Sequence, residues 1–258
     1  LDRLEGPVDV FGYETDPHAL SRATARLQAS HPNATLHFHH GSFLDHVLND
    51  FDRGSLLLND KPYDLIIANP PYVRTQIMGA DRAQKLGAQF GLTGRVDLYH
   101  AFLLGMAKVL HPDGTAGFIV SNRFMTTKGG ASTRMAMMQE LKLTHVFDLG
   151  DTKLFDAAVL PAVLIGRGQN SKAITPKFVS AYETNATPQL HSKNAIEALQ
   201  HEGDVGLSDG RILHIQHGQL DTDGTKSGVW RLTSVGVEAW LNTTAKQTWE
   251  TFRDVGKI

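Results

Sequence analysis

The chain has 258 residues, 41% hydrophobic and 20% charged, with a formal net charge of −2. That length suffices for a full core in one large or two smaller domains. The absence of cysteine excludes a disulfide framework and any thiolate zinc site and fits a reducing cytoplasm, no apolar run reaches the length of a membrane span, and the near-neutral charge counts against a self-sufficient nucleic-acid binder.

In chain order, Val8-Asp9-Val10-Phe11-Gly12-Tyr13 reads as a strand ending at Glu14-Thr15-Asp16. Asp16 then reads as an N-cap with Pro17 in the first helical position. Ala19, Leu20, Ala23 and Leu27 recur at helical spacing, and the helix should stop before His31-Pro32. Thr35 to Phe38 is a short strand, and Gly41-Ser42-Phe43-Leu44-Asp45 reads as a loop. Leu65-Ile66-Ile67-Ala68, opened by Tyr63-Asp64, has the pattern of a buried parallel strand. Residues 73–95 lack periodicity and read as a long loop, a kind that is usually functional. Asp97 caps a helix with Leu98, Phe102, Met106 and Val109 inward, closed by His111-Pro112-Asp113-Gly114. Thr115 to Val120 is a strand running into Ser121-Asn122-Arg123-Phe124, followed by a helix over 131–142 and strands at Thr144–Leu149 and Val159–Ile165. This alternation predicts an α/β fold with a doubly wound, mostly parallel sheet. Beyond Gly168 the pattern becomes α+β, with strands at Thr175–Tyr182, Arg211–Ile215 and Val229–Leu232. A helix over 234–252 is expected to turn Val237, Trp240, Leu241 and Phe252 inward.

Asn69-Pro70-Pro71-Tyr72 follows directly on the Leu65 strand, and open α/β sheets bind ligands outside the carboxyl ends of their strands. An exocyclic amine on a nucleobase is a poor nucleophile because its lone pair is delocalised into the ring. The Asn69 side-chain oxygen and the Pro70 carbonyl are two acceptors able to take both amino hydrogens and free that lone pair. Proline suits the position because its φ is fixed and it has no N–H to compete. Tyr72 offers a face on which a planar base stacks. A Pro-Pro turn ending a strand is the competing reading.

The succession Glu14-x-Asp16-Pro17, Phe43, Asn69-Pro70-Pro71-Tyr72, Asp97-Leu98-Tyr99, Ser121-Asn122, and Leu149-Gly150 with Phe155 resembles the S-adenosylmethionine-dependent adenine-N6 DNA methyltransferases. Its spacing is similar to the gamma class of restriction–modification systems, type II or IIG-like, over roughly residues 1 to 170. The resemblance implies a class I, Rossmann-like methyltransferase fold with S-adenosylmethionine as cofactor. It implies that Glu14 accepts hydrogen bonds from the cofactor ribose hydroxyls, that Phe43 packs on its adenine, and that Asn69 borders the cofactor. The family carries Asp just before the Phe43 position; here Ser42 stands there, and Asp45 is the acid nearest to hand. Asp97-Leu98-Tyr99 matches a segment near the methionine end of the cofactor. Tyr72 and Phe155 would hold a flipped adenine between them. A solvated loop acid at Glu14, ordinary core packing of Phe43 and Phe155, and a plain N-cap at Asp97 are the alternative readings of those residues.

His37, His39 and His40 lack a carboxylate partner motif, and methyl transfer requires no metal, so no metal site is expected. Lys128-Gly129-Gly130 lacks the Walker spacing and reads as a helix entry. Arg123 suits either a DNA phosphate or a surface salt bridge. The domain expectation is a catalytic domain over 1–168 and an α+β extension over 169–258 leading to a target-recognition domain. The glycine-rich strand and loop implied by the resemblance do not precede Val8, so a segment of a longer protein is expected, with recognition and endonuclease functions fused or held by partners. The implied substrate is a flipped adenine in double-stranded DNA. The alternatives are a protein-glutamine or ribosomal-RNA N-methyltransferase, and a non-catalytic methyltransferase-like module of a DNA-defence complex.

Overall fold

Val8 and Val10 alternate with Asp9 and Phe11, the two-residue period of a pleated strand, and here the described chain begins its first element. The computed structural model describes residues 6–52, 63–71, 84, 87–90, 98–150, 152, 160–233 and 235–247. The chain divides into two compact units, Leu1–Lys61 and Pro62–Ile258.

In the first unit β1 (Val8–Glu14) passes through α1 (Pro17–Ser30) into β2 (Ala34–His40), and the strands pair in parallel from Val8↔Ala34 to Glu14↔His40. The Asp16 carboxylate accepts the His18 N–H at 2.8 Å while Pro17 takes the first helical position, where no N–H is needed. A second helix, α2 (Phe43–Asp52), replaces the loop expected over Gly41–Asp45. Leu44 and Val47 are buried three residues apart on one helical face. The Ser42 carbonyl accepts the His46 N–H at 3.1 Å. Gly41 and Ser42, which suggested a loop, are the entry to this helix.

The second unit contains, in order, β3 (Tyr63–Ala68), α3 (Leu98–Val109), β4 (Leu110–Ser121), α4 (Arg123–Thr126), a 3-10 turn at Lys128–Gly130 and α5 (Ala131–Glu140). There follow β5 (Lys142–Asp148), β6 (Pro161–Arg167), β7 (Lys177–Glu183), β8 (Leu190–Ser192), α6 (Ala195–Ala198), β9 (Gly203–Leu207), β10 (Ile212–Asp221), β11 (Arg231–Thr233) and α7 (Val235–Gln247). Their strands form one mixed nine-stranded sheet, ordered β3-β4-β6-β5-β7-β10-β9-β8 with β11 on β10. β3 and β4 are parallel, as are β5 and β7, and β8 and β9. β6 runs against both β4 and β5, and β10 against β7, β9 and β11.

Several details depart from the sequence pattern. His111-Pro112-Asp113-Gly114 does not separate helix from strand: β4 begins at Leu110, and these residues bulge out between the pairs Tyr63↔Leu110 and Leu65↔Thr115. A bulge tolerates Pro112 because its residues need not donate to the ladder. Helix α3 buries Tyr99, His100, Ala101, Leu103, Leu104 and Met106 while Phe102 is only half-buried, the distribution of a helix covered on nearly all sides. On β3, expected to be buried on both faces, Leu65 is 48% and Ile67 80% exposed. Trp240, expected to turn inward from α7, is 64% exposed. The side chains of Val237 and Leu241, and all of Phe252, lie outside the described residues.

Phe118, Val120, Val146, Ala162 and Leu164 are fully buried at the centre of the sheet. A second cluster of Val179, Ala181, Val205, Leu213 and Ile215 packs beneath Ala195 and Ala198 of α6. Helix α5 carries a buried cation. Arg134, 3% exposed, donates from Nε to the carbonyls of Ser227 at 3.0 Å and Gly228 at 2.7 Å. Its Nη1 donates to Phe124 O at 2.6 Å and Thr127 O at 2.8 Å, and Nη2 to Ser227 O at 2.7 Å. Beside it the buried Trp230 indole meets Phe124 edge-on, with centroids 5.2 Å apart, and the Trp230 backbone N–H donates to Met125 O at 2.9 Å. The sequence gives no local sign that residue 134 staples segment 124–127 to a loop some ninety residues on.

Two stability predictions follow. Replacing Arg134 with Leu strands three carbonyls, those of Phe124, Ser227 and Gly228, while Thr127 O keeps the Gly130 N–H. A buried unmet carbonyl costs about 1–3 kcal/mol. With most of these part-buried, urea denaturation should show a loss of roughly 2–4 kcal/mol. Arg134→Lys should recover less than half of it, because a compact ammonium cannot span the guanidinium fork. The second concerns His100, which is 3% exposed and has no hydrogen-bond partner on either ring nitrogen. Burial pushes its imidazole down from 6.5 to about 4. Between those values the unfolded chain binds a proton that the folded chain does not, so stability is lost as pH falls through that window. The stability difference between the natural protein and a His100→Leu variant should therefore shift by about 2 kcal/mol against the natural protein between roughly pH 7 and pH 5. A pH-independent difference would show that His100 protonates freely in the folded state.

Candidate functional site

Strand direction gathers the candidate residues of the second unit. β3 runs parallel to β4; β4 and β5 both oppose β6 and so point the same way; β7 runs parallel to β5. The carboxyl ends of all four strands therefore share one edge of the sheet, the edge where open α/β sheets bind ligands.

Asn69-Pro70-Pro71 leaves that edge directly from Ala68. Pro70 is buried, while Asn69 and Pro71 are exposed. The turn is thus anchored by one proline ring, with the amide side chain on the open side. Tyr72, Asp97 and Phe155 lie outside the described residues. Tyr99, at the start of α3, is buried against His100 and Phe124 at centroid distances of 4.3 and 6.3 Å.

Next along the edge is a chain of polar contacts that the sequence did not announce. Asn122 Nδ2 donates to Asp148 Oδ1 at 2.9 Å, the Tyr182 hydroxyl donates to Asp148 Oδ2 at 2.7 Å, and the Gly150 N–H donates to Asp148 Oδ1 at 3.3 Å. One carboxylate thereby ties together the ends of β4, β5 and β7. Gly150 has φ +45°, and a Cβ there would lie 2.6 Å from the Tyr182 ring, so the turn needs glycine on both counts. The Asn122 N–H also donates to Leu160 O at 2.9 Å, and the Leu149 N–H to Pro161 O at 3.0 Å. Both ends of the β5–β6 connection are thus fastened to the sheet. Thr152 within it is buried, and its carbonyl accepts from Arg211 Nη1. Hydrogen bonds from the same guanidinium hold the Asp209 carboxyl below the usual carboxylate range. The only sequence signal for Asp148 and Tyr182 was their place at the ends of apolar strands.

In the first unit Glu14 ends β1. Its Oε1 accepts the Asp16 N–H at 2.9 Å and the Thr15 hydroxyl at 3.4 Å, orienting the carboxylate at the turn into α1. Phe43 and Asp45 sit in the first turn of α2 rather than in a loop. The Phe43 ring meets Tyr13 edge-on at 5.4 Å, and Ser42 is half-buried at the entry to that helix. One βαβ unit thus places a carboxylate hydrogen-bond acceptor at the end of β1 and an aromatic ring just beyond β2. The three histidines have other engagements: His37 Nε2 lies 2.8 Å from Asp9 Oδ1, His39 stacks on Tyr13, and His40 Nε2 lies 3.0 Å from Thr15 O. Among the described residues no cluster of acidic residues and histidines is arranged to hold a metal ion, and no helix is long and apolar enough to cross a membrane. Lys128-Gly129-Gly130 forms the 3-10 turn that enters α5. Gly130 there lies so close to the Phe124 carbonyl that a side chain would collide with it.

Comparison with known proteins places this arrangement in a family. The chain is 44% identical over 262 residues to Type II methyltransferase M.BanIII of Aneurinibacillus aneurinilyticus, a match covering 96% of this chain and 45% of that protein. The chain thus spans less than half the length of this curated relative. Among solved structures it is similar to a modification subunit attributed to a type I restriction enzyme of Vibrio vulnificus, with a TM-score of 0.53, 11% identity, and coverage of 87% of this chain and 46% of that one. It is also similar to the methyltransferase subunit of a type I restriction-modification system from Streptococcus thermophilus, with a TM-score of 0.51, 16% identity, and coverage of 92% and 42%. At these identities the likeness is one of fold, and the fold is α/β. The family model of the Eco57I restriction-modification methylase matches residues 10–155, more than half of the sequence, and the chain belongs to that family.

Proposed function

We propose that this chain is the catalytic core of a DNA methyltransferase of a restriction–modification system, acting on the N6 amino group of adenine with S-adenosylmethionine as methyl donor. The observation that carries this reading is the Asn69-Pro70-Pro71 turn at the carboxyl end of β3, with Pro70 buried and Asn69 exposed. Membership of the Eco57I family supports it. The βαβ unit of β1 and β2 and the parallel pair β3–β4 support a doubly wound class I methyltransferase sheet. In this reading residues 1–168 are the catalytic domain and 169–258 an extension toward a target-recognition domain, with endonuclease activity fused or supplied by a partner, and the protein works in the cytoplasm.

Glu14 would hold the cofactor ribose and Phe43 its adenine, with Asp45 and Asn69 bordering it; Ser42 leaves the adenine amino group without the family's usual carboxylate. Bound S-adenosylmethionine supplies an electrophilic methyl group on a sulfonium. The Asn69 side-chain oxygen and the Pro70 carbonyl accept the two amino hydrogens of an adenine flipped out of the duplex. That pulls the nitrogen toward tetrahedral geometry and frees its lone pair. Tyr72 and Phe155 hold the ring. The donor would give up its methyl and keep the S–C bond electrons, and the extra proton on the methylated nitrogen would pass to solvent, so positioning by Asn69 and Pro70 rather than a strong base dominates catalysis.

The test is methyl transfer by the full-length protein from labelled S-adenosylmethionine to duplex DNA, followed by nucleoside analysis. N6-methyladenine is expected; label in N4-methylcytosine or in protein would overturn the assignment. Asn69→Ala should lower kcat by at least about 100-fold, the scale of losing one aligned polar partner of the reacting group. Its affinity for S-adenosylmethionine should fall less than about tenfold. Natural turnover in that variant would remove Asn69 from the chemistry.

A further inference from the structure

The guanidinium of Arg134 brings two distant loops together, and the residues flanking its carbonyl partners are cationic. Phe124 and Thr127 are bound on one side, Ser227 and Gly228 on the other. Arg123 precedes Phe124, Lys128 follows Thr127, and Lys226 precedes Ser227. All three are exposed, and none has an ion-pair partner among the described residues. Three exposed cations from two loops distant in sequence are thus each one residue from a carbonyl gripped by the same side chain.

The surroundings leave that charge uncancelled. From Asn122 to Gln139 the chain contains no acidic residue. The buried Arg134 is satisfied only by carbonyls, so its own positive charge adds to the field above it. Among the described residues, Asp148 is tied to the loop through Asn122, and Asp223 lies three residues before Lys226. Asp148 is hydrogen-bonded by Asn122, Tyr182 and the Gly150 N–H, and Asp223 lies 3.2 Å from Arg231 Nη2. Of these two acids, Asp223 has its own cation in Arg231. The cluster also stands just beyond Ser121, at the same edge of the sheet as Asn69.

We propose that the stapled pair of loops, through Arg123, Lys128 and Lys226, is a phosphate-contact face that grips the sugar–phosphate backbone of duplex DNA beside the reacting base. This rests on the reading that the protein acts on duplex DNA. Such contacts set register and carry no base information, so they serve specific and non-specific duplexes alike. Arg134 is the positioning residue of the face: it touches no phosphate and holds both loops at the spacing that makes three side chains one surface.

The experiment measures duplex binding by the full-length protein across a salt series, with a duplex it methylates and one it does not. Each phosphate contact contributes about 0.9 to the slope of log K against log salt. The triple substitution Arg123→Gln, Lys128→Gln, Lys226→Gln should therefore lower the slope by roughly two to three on both duplexes and weaken low-salt binding by roughly ten- to a hundredfold. Lys128→Arg with Lys226→Arg should keep the natural slope. S-adenosylmethionine affinity of the triple variant, unchanged from the natural protein, reports that the fold is intact. An unchanged slope overturns the proposal. So does a loss confined to the methylated duplex, which would mean base reading, or a loss seen with single-stranded RNA but not with duplex DNA. If the natural protein binds duplexes with the expected salt dependence yet transfers no methyl group, the proposed activity falls and the phosphate face stands.

Discussion

The direction of four strands is the constraint on which the described chemistry depends. With β6 reversed between β4 and β5, those two strands must run the same way, and β3 and β7 pair parallel to them. Every one of the four then delivers its last residue to a single edge. Asn69, Asn122, Asp148 and Tyr182 come from widely separated parts of the sequence, and strand polarity alone places them along that edge. Reversing any one strand would send its terminal side chain to the far side of the sheet. Loops built there can vary in sequence as long as the ladder beneath them is kept.

What fastens those loops is polar satisfaction rather than apolar burial. A turn that leaves a sheet edge exposes backbone carbonyls and N–H groups that its neighbours cannot pair. Here Asp148 collects donors from three chain segments, Asn122 binds both ends of the β5–β6 connection, and Arg134 covers four carbonyls of two loops. Each is a small number of hydrogen bonds, but an unmet buried carbonyl is costly, so each contact excludes alternative loop arrangements. Trp230 against Phe124 then seals the joint with an apolar contact.

The parts legible in the sequence were those governed by local rules. The Asp16-Pro17 start of α1, the strand before Asn69 and the helix entry at Lys128 depend on neighbours a few residues away, and the structure has them where local chemistry puts them. Helix α2 was hidden because Gly41 and Ser42 are equally common in loops and at helix starts, and its apolar stripe of Leu44 and Val47 is short. The Pro112-Asp113-Gly114 break reads the same whether it separates two elements or bulges from one strand, and only the register with β3 distinguishes them. Trp240 illustrates the opposite limit: amphipathic spacing identifies a helix, but what covers its apolar face is a tertiary fact. Among the candidate site residues, Asn69 and Glu14 stand out in the sequence because one follows and the other ends an apolar strand, whereas Asp148 and Arg134 act through partners remote in sequence and leave no local signature.

Charge shows the same division between average and arrangement. A chain with net charge −2 looks unsuited to a polyanion, yet a sum over residues is blind to where counter-charges sit. Some acids elsewhere are matched locally, as Asp209 is by Arg211 and Glu140 by Lys108. Pairs of this kind cancel within a few ångströms and add little field beyond a Debye length of about 8–10 Å. Arg123, Lys128 and Lys226 have no such partner among the described residues, and beneath them Arg134 keeps its charge against neutral carbonyls. The near-zero total therefore does not describe that edge, where the same buried arginine that closes the loops also holds three exposed cations near one another.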